Sequence, residues 1–289
     1  MQRRAKIGLA LLGAGVAALG VAGWLVTRGD RLSGDRVAVV AIEGVIADSR
    51  RVLDELERHQ DNPAVRGLVL RIDSPGGAVA PSQEIHAGVW KFRRASGKPV
   101  VASMGRVAAS GGYYVAAAAT RILANPGTIT GSIGVIMQLP NVSGLMEKVG
   151  VRTTIIKTGE FKYLGGAVRD LTPAERQLLQ NMLDDVHAQF IDAVAAGRKL
   201  ERGRVAALAD GRIFTGRQAL GVGLVDELGD LRDAVARAGA LAGLPGKPRI
   251  IQERRRSLWD LLAGLADGTE RALSYPMPSA SVDYLWTVR

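Results

Sequence analysis

Near-continuous apolar runs, each followed by a stretch with helical spacing, constrain this chain more than anything else in it. Residues 37–42 (VAVVAI), 67–73 (GLVLRID) and 99–104 (PVVASM) read as strands. Their apolar residues do not alternate with polar ones, so both faces of each strand must be covered. Residues 49–59 and about 81–94 read as the intervening helices, residues 121–124 as a further strand and residues 151–157 as another. Residues 125–134 form a Gly/Thr/Ser loop. Strands alternating with helices predict an α/β fold, a mostly parallel sheet with flanking helices. A long helix opens at Thr172-Pro173-Ala174-Glu175, where an N-cap hydroxyl, a proline and an acidic first turn coincide. Leu178, Leu179, Met182, Leu183, Val186, Phe190, Ile191 and Val194 then form a stripe suited to core or subunit contact. A short helix starts at 215–219 and another covers 230–241. After Pro245 the pattern degrades. Residues 254–256 read as a solvated arginine cluster, residues 257–266 as one amphipathic helix, and the stretch around Pro276 and Pro278 as mobile.

The organisation is expected as follows. Residues 1–6 carry Arg3, Arg4 and Lys6, and residues 7–26 are uncharged. Those 20 residues match the length of one helix through a bilayer core, and Trp24 suits an interfacial anchor. A basic N-terminus stays cytoplasmic, so the remainder is expected outside the cytoplasmic membrane, on a single-pass anchor. The competing reading is a cleaved signal peptide, but the run is longer than the usual apolar region of one. Residues 27–36 are a linker, residues 37–244 the globular domain, and residues 245–289 a tail. With 47% hydrophobic and 23% charged residues the chain is an ordinary globular mixture. It has no cysteine, which excludes disulfides, cysteine nucleophiles and cysteine-ligated metals. His59, His86 and His187 fall in separate helices without metal-ligand spacing, so they read as surface or packing residues and no metal site is expected. The net charge is +10, but aromatics are only 4% and the arginines are scattered. That argues against nucleic acid and for an anionic lipid bilayer as the acidic partner.

One stretch has the composition of a reaction centre. In Ala108-Ala109-Ser110-Gly111-Gly112-Tyr113-Tyr114, a serine follows small residues and precedes two glycines at the start of a helical run. Such a turn presents a nucleophile beside free backbone N–H groups. Tyr113 and Tyr114 read as packing residues. A serine needs a base, and no His-Asp arrangement is recognisable. Lys162, in Gly159-Glu160-Phe161-Lys162-Tyr163-Leu164-Gly165-Gly166, is the alternative; a lysine acting as base must be neutral. On residue chemistry alone it can equally be a surface lysine.

Four segments resemble the signal peptide peptidase A family, membrane-anchored Ser/Lys peptidases with a ClpP/crotonase-like fold. They are Asp73-Ser74-Pro75-Gly76-Gly77, Ala109-Ser110-Gly111-Gly112-Tyr113-Tyr114, Thr130-Gly131-Ser132-Ile133-Gly134-Val135 and Gly159-Glu160-Phe161-Lys162. The order matches, as does the separation of 52 between Ser110 and Lys162. The later Phe214-Thr215-Gly216-Arg217-Gln218-Ala219 and Gly223-Leu224-Val225-Asp226 resemble it too. The patterns occur once, as in the short form of the family. The resemblance implies Ser110 as nucleophile, Lys162 as general base, Ser132 as a hydroxyl holding the lysine, and Gly77 and Gly111 as oxyanion donors. It implies no cofactor, a homo-oligomer, and remnant signal peptides or other membrane-associated peptides as substrate. One departure is Gly165-Gly166-Ala167, where the family often has Ser-Pro after the glycine. Two rival readings share parts of this pattern: an acyl-CoA enzyme of the same fold, which would need acidic residues near the glycines, and a non-enzymatic membrane scaffold.

Overall fold

The computed structural model describes residues 36–252 and, as backbone, residues 282–285. The proposed span at 7–26, the helix at 257–266 and the arginines at 254–256 lie outside the described residues. No helix among the described residues is long and apolar enough to cross a membrane.

The first half of the chain alternates as its apolar runs predict. β1 (Arg36–Glu43), β2 (Val65–Ser74) and β4 (Val100–Ala109) are separated by helices α1 (Arg50–Gln60) and α2 (Val79–Ser96), with a short β3 (Gly76–Ala78) between β2 and α2. The single-turn-and-a-half α3 (Gly111–Ala116) follows β4 directly, and β5 (Arg121–Ala124) comes next. Then come β6 (Ile129–Gly131), β7 (Ile136–Met137), α4 (Ser143–Lys148) and the long α5 (Pro173–Arg198). The remainder is α6 (Arg202–Leu208), β8 (Ile213–Thr215), α7 (Gly216–Val222), β9 (Glu227–Leu228), α8 (Leu231–Leu241), β10 (Arg249–Gln252) and β11 (Val282–Leu285).

The main sheet runs in the order β10-β1-β2-β4-β5-β9, all neighbours parallel. Its strands bury both faces because successive side chains point opposite ways. Ala38, Val40, Leu68, Leu70, Ile72, Val100 and Ala102 meet α1, α2, α3 and the C-terminal half of α5. Val37, Val39, Val69 and Val101 meet Ala234, Val235 and Ala238 of α8. Burying a Leu or Ile fully, as at Leu68, Leu70 and Ile72, contributes about 1.5–3 kcal/mol each, so the central strands anchor whatever stands at their ends. Buried Tyr113 fastens α3 to this core, its hydroxyl donating to Leu224 O at 2.9 Å.

Four sequence expectations change. The Gly/Thr/Ser loop at 125–134 contains β6, because β4 exchanges partners along its length: its first half pairs with β5 and its second half, Val107 to Ala109, pairs with Ile129 to Gly131. Residues 151–157 form no strand. No described strand faces them, and Ile156 is 96% exposed. The stripe on α5 splits: Phe190, Ile191 and Val194 are buried, whereas Leu178 and Met182 are exposed. Past Pro245, β10 adds a parallel edge strand to β1, and Val282–Leu285 is ordered as a strand within a second sheet, β3-β11-β7.

Candidate active site

The site stands where parallel β2 and β4 end side by side, the position at which open α/β sheets present ligands. The register between them slips after Ile72, so that Ser74 pairs with Ala108. The extra residues of β4, Gly105 to Val107, are gathered by Asp73, whose carboxylate accepts from Val107 N at 3.2 Å and Arg106 Nε at 3.0 Å. Gly105 is required there, since a Cβ would lie 2.9 Å from the Asp73 side chain. Two buried threonines of the following segment brace the same stretch. Thr128 Oγ1 donates to Gly105 O and Thr130 Oγ1 to Ala108 O, both at 2.7 Å.

Ser110 therefore emerges from a strand end held on both sides. It adopts φ 52°, ψ −119°, a conformation that non-glycine residues rarely take, and it caps α3 without using its side chain. Such strain persists only where the surroundings impose it. Here its N–H donates to Gly131 O and its carbonyl accepts from Tyr114 N, both at 2.8 Å. The residue is 1% exposed, and no hydrogen bond to another described residue engages its hydroxyl. Gly111 and Gly112 begin the helix, so their N–H groups have no acceptor within it. A Cβ on Gly112 would stand 3.0 Å from Ser74 O, which fixes how closely α3 approaches β2.

Ser132 is brought beside Ser110 by sheet register. Ala109 pairs with Gly131 on parallel strands, so the next residue of each strand is a serine. Ser132 is also strained, at φ 50°, is buried, and donates its N–H to Arg212 O at 2.8 Å. Gly77 lies in β3, which packs against α3. Its backbone runs so near Ile46 that a Cβ would stand 2.2 Å from Ile46 O. Ile46 N donates to Gly76 O and Ala78 N donates to Ile46 O, both at 2.8 Å, which sets Gly77 between two anchored residues. Ser74 Oγ accepts from Gly76 N at 3.1 Å and pins the turn before it.

Lys162 is placed differently. It sits in a run of turns, with an exposed side chain that makes no hydrogen bond or ion pair to another described residue. The loop around it is nevertheless tethered. Arg169 bonds both oxygens of Glu175, donates to Tyr163 O at 3.3 Å, and stacks over the Tyr163 ring at 5.6 Å. The guanidinium and the Thr172 N–H hold the buried Glu175 carboxyl down at about 2, far below the usual carboxylate range. Gly166 is pressed on the Tyr163 ring, where a Cβ would collide at 1.9 Å. The structure thus brings Ser110, Ser132, Gly111 and Gly77 to one strand end and leaves Lys162 outside their contacts.

None of the histidines is hydrogen-bonded to Ser110. His86 stacks on Tyr114, ring centroids 4.8 Å apart, and burial pushes its imidazole down to about 4. It is a packing residue, one of the two roles the sequence allows it. The supporting residues Ser74, Asp73, Thr128, Thr130 and Ile46 were not singled out by the sequence. Asp73, Ser74 and Thr130 stand within the motif segments, which is their signal; Ile46 carries none.

The profile described as peptidase family S49 matches residues 92–245. A protein of Synechocystis sp. carrying a protease name is 48% identical over 214 residues, 72% of this chain and 75% of that protein. A protein of Enterococcus faecium named as a signal peptide peptidase SppA is 35% identical over 70% of this chain and 62% of its own length. Protease 4 of Salmonella typhi is 33% identical over 83% of this chain and 40% of its own length. The matched stretch is therefore less than two thirds of the last two proteins.

Proposed function

The chain belongs to peptidase family S49 and is a serine peptidase, and from that premise we propose that Ser110 is its nucleophile, Lys162 its general base, and Gly77 and Gly111 its oxyanion donors. The observation that carries the reading is the enforced conformation of Ser110, a buried serine at φ 52° whose hydroxyl bonds to no other described residue and which stands beside the first N–H groups of α3. A tetrahedral intermediate needs donors about 2.7–3.1 Å from its oxygen, an approach that glycine backbones allow.

The reaction is acyl transfer. The neutral Lys162 amine takes the Ser110 proton as Oγ attacks the peptide carbonyl. The Gly77 and Gly111 N–H groups take up the oxyanion charge. The Lys162 ammonium then protonates the leaving amine, and water, deprotonated by the same lysine, releases the acyl group. Ser132 holds and relays at the lysine. The cut is internal to the peptide, and the fold is of the ClpP/crotonase-like type.

The Lys162 side chain makes no hydrogen bond or ion pair to another described residue, which supports a dyad that closes on assembly. Leu145, Val149, Val151, Ile156 and Phe161 are exposed apolar residues in the stretch leading to Lys162, and they support a homo-oligomer whose seam includes this loop. The relative named as a signal peptide peptidase, and the apolar residues 7–26, support remnant signal peptides as substrate and an anchor in the cytoplasmic membrane, with the catalytic domain outside. Anchoring raises the effective concentration of a lipid-embedded peptide at the site. Wild type in detergent should cut a synthetic signal peptide internally, read by mass spectrometry, and Lys162→Ala should not. Equal cleavage by both proteins would reject Lys162 as the base.

A further inference from the structure

The parallel sheet is polarised along its strands. β1 opens on Arg36, β5 on Arg121 and β10 on Arg249, and β2 carries Arg66 in second place. Register sets Arg36 level with Arg249 on one side and with Val65 on the other, so these cations line the strand starts. The far ends of β1 and β2 carry Glu43 and Asp73 instead, and lead to the site. A strand of the length of β2 rises about 33 Å, which separates the basic end from Ser110.

α2 and α5 finish at this basic end. Between them lies a cavity of about 230 Å³, lined by Trp90, Arg93, Arg121, Arg198, Lys199 and Leu241. The carboxylate in its lining, Asp226, is already engaged: it accepts from Arg198 Nη1 at 2.8 Å and Ile122 N at 2.7 Å. Some of the positive charge is structural, since helix C-termini attract cations. Lys98 Nζ donates to His59 O, Gln60 O and Asn62 O, and Arg198 donates to Gly223 O. Arg66, Arg94 and Lys199 have no such use. Each is exposed and makes no hydrogen bond or ion pair to another described residue. Arg93 and Arg94 stand over the same Trp90 ring, at 4.5 and 5.6 Å, and burial together with the neighbouring Arg94 charge lowers the pKa of Arg93. Exposed Glu57 and Asp61, at the end of α1, offset part of this charge and leave an excess of cations.

We infer that the strand-start end of the domain is a docking face for an anionic lipid surface, with a headgroup phosphate seated among Arg93, Arg121 and Lys199. The inference rests on the membrane location proposed above and adds which face meets the bilayer. Chain entry supports it. The apolar residues 7–26 end ten positions before Arg36, a reach of at most about 35 Å, so the basic end is the one tethered near an anchor. Charge complementarity supports it too: each Lys or Arg near an anionic bilayer adds about fivefold to binding. Exposed Leu241 and Ile250 stand at the same end, α8 closing on the first and β10 opening beside the second, and they suit the apolar edge of the headgroup layer.

The test uses the full chain reconstituted into vesicles of phosphatidylcholine alone or of phosphatidylcholine and phosphatidylglycerol in equal parts. Hydrogen exchange across the loops 61–64, 196–200 and 243–248 should be about tenfold slower in the mixed vesicles, and high salt should erase the difference. Residues 43–49, at the other end of the sheet, should exchange alike in both. Arg66→Gln/Arg94→Gln/Lys199→Gln removes three free cations, about a hundredfold in binding, and should lose the protection while keeping the wild-type melting temperature. Equal exchange of wild type in the two vesicle types, or protection that the folded variant keeps, would overturn the docking face. The same protection produced by inorganic phosphate with neutral vesicles would overturn a lipid as its occupant. Flotation with neutral vesicles reports the anchor separately. A chain that stays behind there, yet is protected by mixed vesicles, upholds the face and rejects the anchor instead.

Discussion

Gly77→Ala joins a packing argument to a catalytic one. The added methyl would stand 2.2 Å from Ile46 O, 2.6 Å from Ile46 N and 2.7 Å from Ile46 C. All three are backbone atoms, and Ile46 is held by hydrogen bonds to Gly76 and Ala78, so no flexible side chain can yield. Relief requires β3 to move away from Ile46 by an ångström or so. Overpacking of this kind costs about 1–3 kcal/mol of stability. A shift of that size also takes the Gly77 N–H out of range of a developing oxyanion, and removal of one such donor lowers kcat about 10²–10³-fold. Gly127→Ala is the control, since nothing stands within 4 Å of its Cβ position. A fluorogenic peptide assay on both variants, with thermal unfolding alongside, measures the two effects separately. The reasoning predicts a kcat loss of about a hundredfold or more in Gly77→Ala and wild-type behaviour in Gly127→Ala. A folded Gly77→Ala protein with kcat within about threefold of wild type would refute the assignment of Gly77 as a donor.

Thr130→Val deletes the buried hydroxyl that donates to Ala108 O, a loss of about 0.5–1.5 kcal/mol; the melting temperature should drop by a few degrees and kcat should fall as the Ser110 strand end loosens. Tyr113→Phe removes the bond to Leu224 O and should lower the unfolding midpoint in urea without changing the order of peptide preferences, because the ring still fills the core. Glu175 stabilises the fold above the ordinary carboxylate range, since its folded pKa is lowered to about 2; that stability is lost as pH falls from about 4.5 through 2. Wild type and Glu175→Gln should therefore differ in melting temperature at pH 7 and converge near pH 2, whereas a constant difference would show that the charge on Glu175 is not what matters. A lysine base works only when neutral, so kcat/KM of wild type should rise from neutral into alkaline pH; a profile peaking in acid contradicts Lys162 in that role.

Most of the framework was legible because burial on both faces leaves an unbroken apolar signature. Residues 37–42, 67–73 and 99–104 became the cores of β1, β2 and β4; β1 and β2 extend one or two residues further at each end, and β4 starts one residue later and runs five residues further. Those ends carry polar residues such as Arg36 and Ser74, which hydrogen bonding rather than hydrophobicity recruits to the strand. Short strands were less legible. β6 is built of Ile129, Thr130 and Gly131, and only the partner strand β4 makes it a strand. The reverse error at 151–157 has the same root: β-branched residues favour a strand only where a neighbour is present to pair with. The turn around Ser110 was legible because its chemistry is local, a serine followed by two glycines. That Ser132 stands beside it depends on the Ala109–Gly131 register, which no single segment encodes. Lys162 is the converse case, plain in its motif and yet exposed in the single chain. β11 was invisible, since four residues in a proline- and serine-containing stretch pair with strands far away in sequence, β3 and β7.

The central claim is that Ser110 is the nucleophile. A fluorophosphonate reports this directly, since it forms a stable bond only with an activated serine oxygen. Wild type should gain one adduct by intact mass, and peptide mapping should locate it on Ser110. Ser110→Ala should gain none while keeping the wild-type melting temperature to within a few degrees, about what a small buried side-chain change permits. An adduct on another serine, or equal labelling of wild type and Ser110→Ala, would contradict the account.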